Sequence, residues 1–220
     1  MKICTHYGFG DYVICYGLIK ELSKSDNITL FVRPHQSKLH IDNIIRLYAS
    51  IENVHINTND PKLYSDVIYL GWDELFKAVE AGYEKTATEY FYDQAGVPLN
   101  LLWDNFYFGR DIEKEKLIYS SLIKENEEYI FIHDDPTRGF AIRNIPTDLK
   151  IIRLMDLADV SILDCLYLVE KAREVHVSNT GLVSFIDQMG ITHDNLNYHR
   201  YVRPLAFEQP ILKLKWNIYE

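Results

Sequence analysis

Three short clusters in this chain have the residue types and spacing to do chemistry. The first is Gly8-Phe9-Gly10-Asp11, two glycines and an acid just ahead of a segment carrying Val13, Ile14, Leu18, Ile19 and Leu22. Glycines let backbone approach a ligand or adopt positive φ, and the amides that open a helix favour an anion. The loop therefore suits a phosphate or an acidic catalytic group, and equally a plain strand-to-helix turn with Asp11 as helix cap. The second cluster is His133-Asp134-Asp135-Pro136-Thr137-Arg138-Gly139. Arg138 can pair bidentately with a phosphate, and His133 can hydrogen-bond it or orient a neighbour. The third is Ser178-Asn179-Thr180-Gly181, whose hydroxyls, amide and glycine offer hydrogen bonds to a diphosphate without net charge. Asn179 serves there as a helix cap too, and the two roles are compatible.

Asp134 and Asp135 resemble metal ligands, but the eight histidines show no HxH or HExxH spacing. Two adjacent acids also point in different directions on most backbones, so no metal site is expected. One of the pair is expected to hold Arg138 or to cap the Asp135-Pro136 turn.

The elements that must position these clusters follow from periodicity. After the first helix come β-rich runs at 27–33, 52–56 and 65–70, with a helical pattern over 36–48. Positions 72–124 are mostly helical, with breaks at Gly96-Val97-Pro98, and bridge two halves. Within them Asp111, Glu113, Lys114, Glu115 and Lys116 read as a solvated helix face. The aromatic stretch 90–103 either lines a cleft or packs between the halves. A second series opens at Glu128, with strands from there, from Lys150 and from Glu174, and helices over 161–173 and 180–189. Ser161 and Asp164 have capping-box spacing, which gives Asp164 a structural role. The expectation is an α/β chain of two small Rossmann-like domains, 1–109 and 110–203, with a tail, 204–220, packing back on the first. All three clusters then fall at carboxyl ends of strands, where open α/β sheets bind ligands.

Composition narrows the function classes. With 47% hydrophobic and 25% charged residues the 220-residue chain can bury a sizeable core. A net charge of −9 argues against a broad footprint for nucleic acid or an anionic membrane, so an anionic ligand needs its own local basic groups. Cys4, Cys15 and Cys165 have no C-x-x-C spacing and read as reduced packing residues. No apolar run approaches the ~18 residues of a membrane span, and no signal-peptide pattern opens the chain. A cytoplasmic protein is expected. Most of the 16 tyrosines read as core and half-buried surface rather than as sugar or base platforms.

Taken in order, Gly8-Phe9-Gly10-Asp11, the strand followed by His133 to Arg138, and Ser178-Asn179-Thr180-Gly181 resemble the heptosyltransferase-like group of GT-B glycosyltransferases, most of all its short viral and bacterial members. The resemblance implies that the two domains face each other across a cleft, 1–109 on the acceptor side and 110–203 binding the nucleotide-sugar, for an inverting, metal-independent transfer of a sugar from that donor to a glycan or other hydroxyl acceptor, with the donor as substrate and no cofactor. It places Asp11 as catalytic base, and Gly8, Gly10, His133, Arg138, Ser178, Asn179, Thr180 and Gly181 around the donor phosphates. The lysine that heptosyltransferases often use near the donor phosphate has no counterpart beside Arg138. The resemblance also implies a cytoplasmic setting in a bacterium or an infected host cell, and partner domains of a multifunctional glycan-synthesis enzyme. Two other readings compete: an epimerase or hydrolase of the nucleotide-sugar, and a non-catalytic nucleotide- or glycan-binding module on the same scaffold.

Overall fold

The computed structural model describes residues 1–5, 8–32 and 37–220, and the backbone alone of Trp72. The chain divides into two compact units, Met1–Phe108 with Ala206–Ile211, and Gly109–Leu205 with Leu212–Glu220.

The first unit runs β1 (Lys2–Cys4), α1 (Phe9–Leu22), β2 (Ile28–Phe31), α2 (Lys38–Tyr48), β3 (Val54–Asn57), β4 (Val67–Tyr69), α3 (Trp72–Glu80), α4 (Ala87–Ala95) and α5 (Leu101–Asp104). The expected strand end at Arg33-Pro34 and helix start at Gln36 lie outside the described residues. The sheet is ordered β3-β2-β1-β4, and every pairing is parallel. Parallel strands need both faces covered, and Ile28, Leu30 and Phe31 are accordingly fully buried. Helix α1 is apolar around its whole circumference, with Tyr12, Val13, Cys15, Tyr16, Gly17, Leu18 and Ile19 all buried, as befits a central helix. A Cβ on Gly17 would sit 2.1 Å from the Leu101 carbonyl oxygen, so glycine is what lets α5 close on α1. Buried tyrosines keep their hydroxyls satisfied on backbone carbonyls: Tyr12 donates to Phe31 (3.0 Å), Tyr48 to Tyr12 (2.7 Å) and Tyr92 to Ile14 (3.1 Å).

The second unit runs α6 (Ile112–Leu122), β5 (Tyr129–His133), β6 (Lys150–Arg153), α7 (Leu166–Lys171), β7 (Glu174–Val177), α8 (Gly181–Met189), β8 (Leu196–His199) and β9 (Asn217–Tyr219). Its sheet is ordered β6-β5-β7-β8-β9, again all parallel. One face of β5 lies toward α7, where the Tyr129 hydroxyl donates to the Leu168 carbonyl at 2.6 Å. From the other, Ile130 and Ile132 pack with Ile142, Ile145, Leu149 and Val202.

Three expectations need correction here. The charge run of α6 is not uniformly solvated. Glu115 is completely buried, pairs with both Arg110 Nε (3.0 Å) and Nη2 (2.6 Å), and accepts the Tyr167 amide at 2.8 Å. Lys114 reaches the buried Asp164 at 2.7 Å. The helix expected over 161–173 is a 3-10 turn, Ile162–Asp164, followed by the short α7, and the Ser161 hydroxyl accepts the Leu163 amide at 3.0 Å. The tail expected to pack back on the first domain is shared, because Leu212–Glu220 belongs with the second unit. There the buried Asp187 carboxylate of α8 accepts the Lys213 amide (2.9 Å), the Leu214 amide (2.9 Å) and the Trp216 indole N–H (3.1 Å). Cys4, Cys15 and Cys165 are buried thiols outside any disulfide. Among the described residues no helix is long and apolar enough to cross a membrane.

Candidate functional site

Both sheets change direction at a switch point, where successive crossovers go to opposite sides and the loops diverge. The orders place it between β1 and β4 in the first sheet and between β5 and β7 in the second. Loops leaving β1, β5 and β7 carry the three clusters.

In the first unit Gly8 is the N-cap of α1, at φ −78° and ψ 150°. Neither Gly8 nor Gly10 adopts positive φ. A Cβ on Gly8 would meet Asp11 Oδ2 at 3.1 Å, so the carboxylate would have to shift by a few tenths of an ångström to admit one. Gly10 lies within the first turn. Asp11 closes that turn on itself, its Oδ2 accepting the Gly8 amide at 2.8 Å while its own amide donates to the Gly8 carbonyl at 3.0 Å. The carboxylate is half-buried and oriented by the helix start. Tyr7, also in this loop, lies outside the described residues.

The second unit brings His133 and the third cluster together. The Ser178 amide donates to the His133 carbonyl at 3.1 Å, continuing the ladder that pairs β5 with β7. His133 Nδ1 lies 2.7 Å from the Thr180 hydroxyl. Burial pushes the His133 imidazole down to about 4, so it is neutral at neutral pH and adds no charge. Thr180 is the N-cap of α8 but makes no side-chain cap, because its hydroxyl is engaged with His133. Gly181 is the first residue of the helix. Asn179 contributes its carbonyl, which accepts Arg203 Nη1 at 3.1 Å.

The middle cluster divides its two acids. Asp134 turns inward, completely buried, where it accepts the Ile142 amide at 2.8 Å and pairs with Arg153. Asp135 holds Arg138 at 2.5 Å and the Thr137 hydroxyl at 2.8 Å. Partial burial pushes the Asp135 carboxyl up, but those two bonds outweigh it and hold it below its ordinary value. Arg138 is therefore exposed (62%) and already ion-paired. The ring of Phe140 has the Arg138 guanidinium 5.7 Å from its centroid and that of Arg203 4.9 Å away, both within cation–π range.

Arg203 is the residue that sequence reasoning missed. It follows β8 in a stretch without periodicity, and its reach to the start of α8 depends on the β7–β8 pairing. His176 and His199 were missed as well. Their rings join at 2.8 Å, His176 Nδ1 to His199 Nε2, and Glu174 accepts from His176 at 3.0 Å. The only sequence signal was a histidine at the same-face positions of two neighbouring strands, which means nothing until the strands are known to pair.

The fold and its two edges define an α/β protein of two parallel-sheet units, each with polar loops at its switch point. No family model matches the chain, and no curated protein matches it. Among solved structures it is similar to the glycosyl transferase family 9 protein from Veillonella parvula DSM 2008, with 8% identity and a TM-score of 0.49 over 99% of this chain and 85% of that one.

Proposed function

We propose that the chain transfers a sugar from a nucleotide-sugar to a hydroxyl acceptor. The observation that carries the reading is placement. Asp11 stands at the switch point of one parallel sheet, and His133, Ser178, Asn179, Thr180 and Gly181 stand at that of the other. In this reading Asp11, oriented by the Gly8 amide, takes the proton of the acceptor hydroxyl as it attacks the anomeric carbon. The opening amides of α8 and the Thr180 hydroxyl receive the departing diphosphate, with Arg203 as the nearby cation and Arg138 released from Asp135 only at the expense of that pair. Transfer would invert the anomeric centre and need no metal. The donor is the only nucleotide required.

A non-catalytic nucleotide-binding module is the second reading, favoured by the Asp11–Gly8 bond, which gives the carboxylate a structural task. Asp11→Asn separates the two, because the amide still fills the turn but takes no proton. Transfer should fall by about 10²- to 10⁴-fold with donor affinity unchanged by calorimetry. Unchanged turnover sinks the role of Asp11. A prior thermal-shift screen against UDP-, GDP-, ADP-, CMP- and dTDP-sugars without metal should raise Tm for one base, since a ligand of the folded state stabilises it by mass action. No shift with any of them removes the donor from the proposal.

A further inference from the structure

Beneath the loop that ends β7, three side chains on neighbouring strands meet in one row. His133 pairs with Val177 and Val177 with Tyr198. One residue further on, Asp134, Ser178 and His199 therefore stand side by side across β5, β7 and β8, with the Ser178 amide still bonded to the β5 ladder. Alternation puts them on one face of the sheet. Ile132, Arg153 and His176 share that face, being directly paired neighbours, and the Asp134–Arg153 and His176–His199 contacts agree with it.

All three are buried, Asp134 and Ser178 completely and His199 to 96%. Each has a polar atom with no hydrogen-bond partner among the described residues: Asp134 Oδ1, Ser178 Oγ and His199 Nδ1. A buried polar atom left bare costs about 1–3 kcal/mol, and native interiors leave very few. Three such atoms in a single row point to a shared occupant.

The hydrogen inventory says what that occupant must offer. The Glu174 carboxylate only accepts, so His176 Nε2 carries the proton between them. Neutral His176 then presents Nδ1 as an acceptor, and His199 must donate to it from Nε2. Neutral His199 is left with a bare lone pair on Nδ1. The row thus holds two acceptors, Asp134 Oδ1 and His199 Nδ1, and one hydroxyl with a single hydrogen. Something must bring two hydrogens and can accept one. Arg153, already on the other oxygen of Asp134, makes the row a poor place for a metal cation.

Size completes the argument. Adjacent strands lie about 4.8 Å apart, so Asp134 and His199 flank Ser178 from nearly twice that separation. A serine side chain is shorter than either neighbour, and a water is the smallest molecule with the three hydrogen-bonding partners that the row requires.

We propose that Asp134, Ser178 and His199 hold one buried water molecule. It donates to Asp134 Oδ1 and His199 Nδ1 and accepts from the Ser178 hydroxyl. This site completes a chain of polar contacts across the sheet from Glu174 through His176, His199 and the water to Asp134 and Arg153. It lies under Ser178-Asn179-Thr180-Gly181 and independently of what that loop binds.

Two measurements on the full chain test it. A crystal structure at a resolution that orders internal solvent should show one water within hydrogen-bond distance of all three atoms. A direct Ser178 Oγ bond to His199 or Asp134, or density for a larger molecule in the row, overturns the proposal. In solution, histidine 15N spectra at neutral pH should give His199 as the Nε2–H tautomer, and a water cross-peak should appear at the Ser178 amide. Ser178→Val should abolish that cross-peak while the His176–His199 signals persist. A protonated Nδ1 on His199 in the wild-type protein, or a wild-type amide without the water cross-peak, also overturns it.

Discussion

In the first unit Tyr12, Tyr48 and Tyr92 bury their rings and end each hydroxyl on a backbone carbonyl. The second unit instead brings ionisable groups inside, with Glu115 on Arg110, Asp134 on Arg153, and His176 on His199. The same architecture is thus stabilised in two ways. Neutral hydroxyls on carbonyls leave the first interior dependent on shape, whereas paired charges and neutral imidazoles make the second dependent on protonation and on keeping every partner.

The comparison is broken most strongly by removing one partner of a buried pair. Glu115→Ala leaves Arg110 beside Glu170 alone and strips the Tyr167 amide of its acceptor, so about 3–5 kcal/mol should be lost. Hydrogen exchange should locate that loss in the strands of the second unit. A comparable loss in β1–β4 would mean that the units do not respond separately.

Acid is the next lever. Burial lowers His133, and burial with the neighbouring His176 lowers His199, each to about 4 from 6.5; burial lowers His176 too. Between pH 6.5 and 4 the unfolded chain therefore binds more protons than the folded one. The contribution is fully present above 6.5 and drains as pH falls toward 4, by about 3 kcal/mol for each of His133 and His199. The first unit has one described histidine lowered in this way, the half-buried His40. Denaturant titrations at pH 7 and pH 4.5 should show the larger drop in the second unit.

Volume should have the opposite address. Gly17→Ala forces a methyl against the Leu101 carbonyl, and a loss of about 1–3 kcal/mol is expected, confined by exchange to α1 and its neighbours. Smallest of all is Arg138→Ala. An exposed ion pair contributes little, so stability should move by less than about 0.5 kcal/mol, while any effect on donor affinity reports its role in binding.

The strand and helix alternation was legible because apolar runs and helical spacing register burial directly: the strands Tyr129–His133 and Glu174–Val177 and the helix ending at Met189 fall within the stretches where periodicity puts them. Polar destinations were not. Asp134 and Asp135 are indistinguishable in sequence, yet one is buried on Arg153 and the other half-buried on Arg138, a choice made by the pleat of β5 and the Pro136 turn. Glu115 sits in a run where five of the six residues 111–116 are charged, and only the packing of α7 on α6 decides which charge faces in. The glycines before Asp11 read as sites of close ligand approach or of positive φ, but neither adopts positive φ, and Gly8 sits close to the Asp11 carboxylate. The burial of Asp134 and of Glu115 depends on Arg153 and Tyr167, residues far along the chain, which spacing cannot report.

The chain passes between the two units three times, and the piece Ala206–Ile211 belongs to the first although it emerges after most of the second. Phe207, in that piece, lies edge-on to Phe76 of α3 with centroids 6.2 Å apart. During vectorial synthesis the first unit must therefore wait, with part of its surface uncovered, until the ribosome has nearly finished the other. Chain order and spatial membership are decoupled here, and a late piece of chain completes the unit that comes before most of the other.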